Sequence, residues 1–334
     1  MRILTRSDLQ LCLSMAETIE AMAGAFAQLS SGAATVPQRI GLAAGDGVSL
    51  FMPAHLSPHP PRLQTGTLGL KVVSVHGGNA QRGLPAILAA VLLVDEQTGE
   101  PLALMDGAVL TALRTAAGSG LATRYLARAD AKVAAIIGAG PQGRAHALAM
   151  CAVRGIEEIR IVSRHQASSQ SLADDLRGAL PAVPRIRAVA DASAAVRGAD
   201  IICCCTNSPT PVFDGHDLSA GAHVNAIGAY TPATRETDDE TIRRASRIVV
   251  DSRATVAHEA GDLVIPIKAG LMGEEAIYAE LGEIVLGRKA GRQSESEITL
   301  FKSVGNAAQD MAAARAALSR AEQLNVGLEI ELRG

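Results

Sequence analysis

The sequence contains no tryptophan, and aromatic residues make up only 2% of its 334 positions. Proteins that hold single-stranded nucleic acid stack bases on aromatic side chains, so this scarcity argues against such a partner. The 31 lysines and arginines are dispersed among 34 acidic residues, for a formal net charge of −3. A basic stripe that could follow a phosphate backbone is missing, and we expect no nucleic-acid partner.

Long apolar runs are also missing, because no window reaches the roughly 18 residues that a membrane span needs. The N-terminal stretch lacks the continuous apolar core and the cleavage site of a signal peptide. We therefore expect no membrane partner and a cytoplasmic location. Of the five cysteines, Cys203, Cys204 and Cys205 are consecutive in an apolar strand-like run without any CxxC spacing. We predict reduced, buried thiols and no metal site.

The chain is long and apolar enough for two domains, with 48% hydrophobic residues over 334 positions. Residues 1–30 are predicted to form one helix that starts after Ser7 and Asp8. Short β-type runs over residues 49–104 indicate an antiparallel or mixed sheet, and residues 107–127 have helical spacing. A domain boundary is expected near residue 130.

Beyond residue 130, apolar strands alternate with helices in the βαβ rhythm of a parallel sheet. The predicted fold class is therefore α/β: a Rossmann-type doubly wound parallel sheet over residues 131–309, joined to an α+β domain over residues 1–130. The last segment, residues 310–334, is expected to pack back on the first domain.

A glycine-rich turn opens the second domain between an apolar strand and a helix. Gly138, Gly140 and Gly143 match the GxGxxG pattern, with Pro141 and Gln142 between them. In this context the first glycine permits a tight turn, the second lets the backbone approach a pyrophosphate, and the third lets helix and strand pack closely. The turn predicts binding of a dinucleotide at the helix N-terminus.

The end of the next strand predicts which dinucleotide is bound. NAD-binding proteins carry an acidic residue there, but this sequence has Ser163 and Arg164 followed by His165. Arg164 could pair with a 2′-phosphate and Ser163 could donate to it. NADP(H) is therefore favoured and NAD(H) is possible, while Arg164 as a solvated loop residue is the plain alternative.

Small polar residues and glycine end two further strands, where ligands bind in open α/β sheets. Thr206 and Asn207 follow the cysteine run, and Ile227 and Gly228 end the strand after it. We place these residues in the cofactor site, although ordinary turns would explain them almost as well.

Several segments together resemble the ornithine cyclodeaminase/μ-crystallin family over nearly the whole length. These are Arg39, GLKVVSVHGGN around Lys71, GLPA, DGAVLTALRTAAGSGLAT around Arg114, the glycine turn, NAIGAYTPATRETDDE and TLFKSVGNAAQD. The resemblance implies a first domain that carries substrate groups and forms a homodimer through its sheet, followed by the nucleotide domain.

The resemblance also implies roles for particular residues. Arg39 and Lys71 would hold the carboxylate of an imino or amino acid, Arg114 would lie beside the cofactor phosphates and the substrate, and Ser303 and Val304 would lie near the nicotinamide and the substrate. Residue chemistry agrees, since arginine binds carboxylates bidentately and a lysine in an apolar run is costly to bury without an anion. A solvent-facing Lys71 and a helix-surface Arg114 are the alternatives.

One position departs from part of the family. Cyclodeaminases and the related alanine dehydrogenases carry a catalytic aspartate where this sequence has Tyr230, and a tyrosine with an ordinary pKa of about 10 is a poor base at neutral pH. The pattern is similar to members that reduce Δ1-pyrroline-2-carboxylate or Δ1-piperideine-2-carboxylate to L-proline or L-pipecolate. Lys71 or a water would protonate the imine, with Tyr230 a weaker candidate. The alternatives are a cyclodeaminase, an alanine dehydrogenase-like enzyme, and a non-catalytic NADPH binder.

Overall fold

A computed structural model describes residues 1–58 and 66–332. Its strands are β1 (Arg2–Leu4), β2 (Ala34–Thr35), β3 (Ile40–Ala44), β4 (Gly47–Leu56), β5 (Thr67–His76), β6 (Ile87–Val94), β7 (Pro101–Asp106), β8 (Val133–Ile137), β9 (Glu158–Val162), β10 (Arg185–Ala188), β11 (Ile201–Cys204), β12 (His223–Ala226), β13 (Arg247–Val250), β14 (Ile277–Glu280), β15 (Thr299–Lys302) and β16 (Leu328–Glu329). Its helices are α1 (Arg6–Cys12), α2 (Met15–Ser31), α3 (Gly107–Leu126), α4 (Pro141–Val153), α5 (Gln166–Ala179), α6 (Ala192–Val196), α7 (Asp239–Arg244), α8 (Arg253–Glu259), α9 (Gly261–Lys268), α10 (Leu281–Val285) and α11 (Ala307–Leu324). Within these ranges no helix has both the length and the apolar character to cross a membrane.

The chain divides into two compact units, one of residues 1–114 and 306–334 and the other of residues 115–305. The division falls within α3, ahead of the predicted boundary near residue 130. The reason is that the second half of α3 is bonded to the parallel sheet: Asn225 of β12 donates to Thr123 Oγ1 at 3.0 Å, and the Thr299 hydroxyl of β15 donates to the Leu126 carbonyl at 2.9 Å. The chain returns to the first unit at residue 306, immediately before α11. The last two residues of the predicted segment 310–334 lie outside the described residues.

The first unit contains a mixed sheet with strand order β16-β1-β7-β6-β5-β4-β2, with β3 paired to β4. Only β1 and β7 are parallel, and the other neighbours are antiparallel. Helix α11 packs on β4, β5 and β6 and against α2. The approach is close at Gly69 of β5, where an added Cβ would lie 2.6 Å from the Met311 sulfur. One face of the central strands is thus covered by helix, which is an α+β arrangement.

The single N-terminal helix predicted over residues 1–30 is wrong, because the segment forms β1, α1 and α2. Thr5, rather than Ser7, caps α1 in a reciprocal capping box with Asp8. Ser14 caps α2 by accepting from the Glu17 amide at 3.2 Å. Two caps within ten residues start two separate helices, since each cap residue is held in an extended conformation.

The second unit contains a fully parallel sheet with order β10-β9-β8-β11-β12-β15-β13-β14. Its first five strands in sequence have the 3-2-1-4-5 order of a Rossmann sheet, and the order reverses between β8 and β11. Cys203 and Cys204 are free thiols buried in β11, and burial raises the pKa of Cys203 to about 12. The predicted fold class is confirmed.

Candidate functional site

A buried lysine lies in the centre of the first unit's sheet. Lys71 of β5 pairs with Met52 of β4 and Val91 of β6, on the face that α11 covers, and only 2% of its surface is exposed. The alternative of a solvent-facing lysine is therefore wrong. A buried ammonium requires an anion nearby, because desolvation alone would neutralise it.

That anion is Asp310, in the first turn of α11. Its Oδ2 lies 2.6 Å from Lys71 Nζ, and its Oδ1 accepts from Arg114 Nε at 2.8 Å. Arg114 Nη1 also donates to Gln309 Oε1 at 2.6 Å. Asp310 is completely buried and Arg114 nearly so, which excludes a helix-surface role for Arg114.

The charges of this cluster do not cancel. Burial lowers the pKa of Lys71 to about 8, although the adjacent Asp310 carboxylate opposes the shift, and the charges of Arg114 and Arg39 lower it further. Arg39, which is half-buried in the loop between β2 and β3, makes the smallest of these contributions. When Lys71 is protonated, Lys71 and Arg114 are two cations that share one carboxylate, that of Asp310. The cluster therefore has an excess of positive charge that favours an additional anion.

Asp310 and Gln309 were not predicted from the sequence, although a signal was present. Asp310 occupies a position that, by helical spacing, belongs to the row of buried alanines Ala313, Ala314, Ala317 and Ala321. A carboxylate on the apolar face of a helix requires a buried cation.

The three glycines of the turn in the second unit serve two purposes. Gly138 has φ +112°, and an added Cβ there would lie 2.4 Å from the Cys205 carbonyl oxygen. An added Cβ at Gly143 would lie 1.9 Å from the Gly138 carbonyl oxygen, whereas one at Gly140 would meet nothing within 4 Å. Gly138 and Gly143 therefore serve the packing of the turn, and Gly140 leaves open space beside the start of α4.

The N-terminus of α4 has groups that a dinucleotide would satisfy. Gly140 is its N-cap and makes no side-chain cap, and Pro141 occupies the first turn. The side-chain oxygen of Gln142 is buried and accepts no hydrogen bond from the described residues. Uncapped amides and the helix dipole favour phosphates, so the turn fits the pyrophosphate of a dinucleotide.

Apart from Arg114, which lies in α3 of the first unit, the other predicted cofactor residues follow strands of the same sheet and lie at its carboxyl edge. Arg164, after β9, is exposed and forms no ion pair or side-chain hydrogen bond with any described residue. Ser163 donates to the His165 carbonyl at 3.0 Å and lies 2.8 Å from the Ser169 hydroxyl. The Arg164 guanidinium is accessible to a ligand, while the Ser163 hydroxyl already has two partners.

The strand ends beyond β11 are occupied by internal contacts. The Thr206 hydroxyl donates to Glu236 at 2.7 Å, whereas Asn207 is exposed. Gly228, after the buried Ile227, is required for packing, because an added Cβ would lie 1.9 Å from the Thr206 carbonyl oxygen. These contacts shape the loops. Glu236 lies within the segment NAIGAYTPATRETDDE, but no role for it was predicted from the sequence.

The loop after β15 is held in a similar way. The Ser303 hydroxyl donates to Asp251 Oδ2 at 2.8 Å, and the Val304 and Gly305 amides donate to the same oxygen at 3.0 and 2.8 Å. Tyr230, in the loop after β12, is 39% exposed, and its hydroxyl has no hydrogen-bond partner among the described residues. Ser303 therefore orders its own loop.

Comparison with known proteins shows to which family the chain belongs. The model of the ornithine cyclodeaminase/mu-crystallin family matches residues 1–325. The chain belongs to this family. It is 39% identical over 333 residues to the Δ1-pyrroline-2-carboxylate reductase of Bacillus cereus, covering 99% of this chain and 100% of that protein. The predicted family is confirmed.

Solved members of the ornithine cyclodeaminase/mu-crystallin family have the same fold. Thermococcus litoralis Δ1-pyrroline-2-carboxylate reductase in complex with NADH and L-proline superimposes with a TM-score of 0.92, at 41% identity, over 99% of this chain and 100% of that one. An archaeal alanine dehydrogenase dimer with bound NAD gives a TM-score of 0.90 at 34% identity, over 99% of both chains. The relatives' names agree with the predicted class, an oxidoreductase acting on a C=N bond.

Proposed function

We propose that this protein reduces a cyclic imino acid, Δ1-pyrroline-2-carboxylate or Δ1-piperideine-2-carboxylate, to L-proline or L-pipecolate, using a nicotinamide dinucleotide. The observation that carries the proposal is the buried pair of cations, Lys71 and Arg114, which share one carboxylate, that of Asp310. Relatives at about 40% identity over the full length carry the name of this reductase. A dinucleotide turn in the same chain supports the redox chemistry.

The cationic cluster would bind the substrate carboxylate. Arg39 and Arg114 offer guanidinium groups with several donors, and Lys71 adds a point charge. Asp310 and Gln309 already engage the Nε and Nη1 atoms of Arg114, which fixes the orientation of its remaining donors. Such fixation lowers the conformational entropy that is lost when the substrate binds.

Lys71 would also provide the proton that C=N reduction requires at nitrogen. With a pKa of about 8, its ammonium is mostly protonated at neutral pH and is still acidic enough to transfer a proton. A reduced nicotinamide dinucleotide, held at the glycine turn, would supply the hydride chemistry that C=N reduction needs. Tyr230 is not required for this scheme, because no proton needs to be removed from an amino group in the direction of reduction.

The glycine turn with Gly138, Gly140 and Gly143 would hold the dinucleotide phosphates against α4. NADP(H) remains favoured, because Arg164 is accessible and no carboxylate follows β9. NAD(H) remains possible, and the solved relatives named above contain NADH or NAD. A cytoplasmic location also stays a prediction.

The test follows the absorbance of NADPH and NADH with each cyclic imine, with pyruvate plus ammonia, and with ornithine under an ammonia assay. Oxidation of the reduced cofactor by a cyclic imine is the expected result. Turnover of pyruvate plus ammonia alone would identify an alanine dehydrogenase, the alternative that the archaeal relative favours. Ammonia released from ornithine would indicate a cyclodeaminase, and cofactor binding without any turnover a non-catalytic binder.

A homodimer is proposed as well, on the face of the first sheet opposite α11. Ile40 and Leu42 of β3 and Leu88 of β6 lie on this face and are 57%, 54% and 45% exposed. Apolar sheet faces of this kind mark interfaces. Size-exclusion chromatography with light scattering should report twice the chain mass, and Leu42→Lys should shift it toward the monomer; a monomeric parent protein would contradict the proposal.

A further inference from the structure

Two loops of the second unit lie next to each other because they follow neighbouring parallel strands. Residues 205–208 follow β11, and residues 227–229 follow β12. The glycine turn belongs to the half of the sheet formed by β8, β9 and β10. In a doubly wound sheet the two halves each take one nucleotide at the carboxyl edge, so β11 and β12 belong to the half that takes the second nucleotide.

A single buried carboxylate joins these loops. Glu236 Oε1 accepts from the Thr206 amide at 2.6 Å and from the Thr206 hydroxyl at 2.7 Å. Its Oε2 accepts from the Gly228 amide at 2.6 Å and from the Ala229 amide at 3.3 Å. Three of these four donors are backbone amides, so Glu236 fixes the course of the main chain in both loops.

The loops are also in direct backbone contact. An added Cβ at Gly228 would lie 1.9 Å from the Thr206 carbonyl oxygen and 2.6 Å from its nitrogen. The position of one loop therefore determines the position of the other, and a shift at Glu236 would be transmitted to both.

Glu236 is itself held in place by a buried ion pair, Asp262 with Lys302. Its amide donates to Asp262 Oδ1 at 2.7 Å, and Asp262 Oδ2 lies 2.7 Å from Lys302 Nζ. Lys302 also donates to the Ala229 carbonyl at 2.6 Å. Burial raises the pKa of Glu236, and the Lys302 charge opposes this shift. The four donors that surround the carboxyl group suit its ionised form.

We propose that Glu236 is a positioning residue for the cofactor: it holds the loops after β11 and β12 in the geometry that receives the nicotinamide nucleotide, without contacting that nucleotide itself. The inference rests on the proposed function in one respect: it assumes that the ligand is a nicotinamide dinucleotide. It assigns a role to a residue that the substrate chemistry does not involve.

The test is Glu236→Gln, with binding measured by calorimetry for NADH, NADPH and ADP. Glutamine keeps the shape of the side chain but replaces one acceptor oxygen with a donor, so one loop loses its acceptor. We expect affinity for the reduced dinucleotide to fall about 10-fold or more, the factor that 1.4 kcal/mol represents. ADP has only the adenosine and the pyrophosphate of the dinucleotide. Its affinity should therefore change by less than about 2-fold.

Glu158→Gln is the matched control. Glu158 is another buried carboxylate of the same unit, which accepts from Arg160 and Arg187, but it lies at the amino end of β9, at the opposite edge of the sheet. This variant should leave the binding of all three ligands unchanged. If Glu236→Gln does not fold, as judged by thermal melting, Glu236→Asp serves instead, because a side chain shorter by one methylene keeps the charge but cannot span both loops.

Equal weakening of the dinucleotides and ADP, or no change in any of them, would overturn the inference. The calorimetric measurement contains no imine, so it does not depend on the proposed reaction. A parent protein that binds the dinucleotide but reduces no imine would refute the proposed reaction, and the role of Glu236 would still be tested by the binding measurements. A parent protein that binds neither dinucleotide refutes both.

Discussion

Asp310→Asn removes the carboxylate that neutralises part of the cationic cluster, and its effect on the reaction can be worked out from the structure. Asp310 lies 2.6 Å from Lys71 and 2.8 Å from Arg114 and is fully buried. At an effective dielectric of about 20, two unit charges about 4 Å apart interact by about 4 kcal/mol. Opposite charges at this range shift a pKa by about one to three units.

Without that carboxylate, the pKa of Lys71 should fall from about 8 by one to three units on this basis. Lysine is active in the proposed scheme only as the ammonium, so kcat/KM should decline as the pH rises through its pKa. We expect the parent enzyme to lose activity above about pH 8, and Asp310→Asn to lose it at a pH lower by the same one to three units.

The assay measures kcat/KM for Δ1-pyrroline-2-carboxylate from the loss of reduced cofactor between about pH 4 and pH 10, a range that brackets both expected midpoints. Protonation of the free imine affects every variant equally, so only the difference between profiles is interpreted. Asp8→Asn, which alters a half-buried capping residue of α1, is the control and should retain the parent profile. A folded Asp310→Asn enzyme with the parent midpoint would refute the role of Lys71 as the acid, as would a midpoint shifted to higher pH.

Three further changes test other parts of the site. The folded protein releases the Lys71 proton at about pH 8 and the unfolded chain at its ordinary 10.5, so the unfolded state holds more protons between these values and stability rises with pH there. The gain is at most about 3.4 kcal/mol, and Lys71→Met should lack it when unfolding by urea is compared across this range; equal slopes would contradict the burial argument. Gly143→Ala should abolish dinucleotide binding in calorimetry, since its Cβ would lie 1.9 Å from the Gly138 carbonyl, whereas Gly178→Ala, which meets nothing within 4 Å, should bind normally. Arg164→Ser should raise KM for NADPH about 10-fold, the loss of one charge-assisted contact, and leave that for NADH unchanged; an equal effect on both cofactors would exclude contact with a 2′-phosphate.

The cofactor half of the site was largely predictable because its signals are local. The turn from Gly138 to Gly143 lies between a strand and a helix, and both the tight turn and the open helix N-terminus depend on neighbouring residues. The alternation of strands and helices similarly predicted the parallel sheet. Local signals were weaker at the N-terminus, where caps at Thr5 and Ser14 divided a segment whose apolar spacing had indicated one helix.

The sequence by itself determined the family, the fold class, the dinucleotide turn and the cationic residue types Arg39, Lys71 and Arg114. Only the tertiary structure decided how those charges are balanced, since Asp310 meets Arg114 across 196 positions of the chain. Glu236 likewise accepts from the backbone amides of Thr206 and Gly228, which lie 30 and 8 positions away in the chain. A pattern of side chains contains no record of such backbone contacts. Charges and hydrogen-bonding groups interact according to their distance in space. A carboxylate that is distant in the chain therefore produces no sequence pattern around the cation or amide that it contacts.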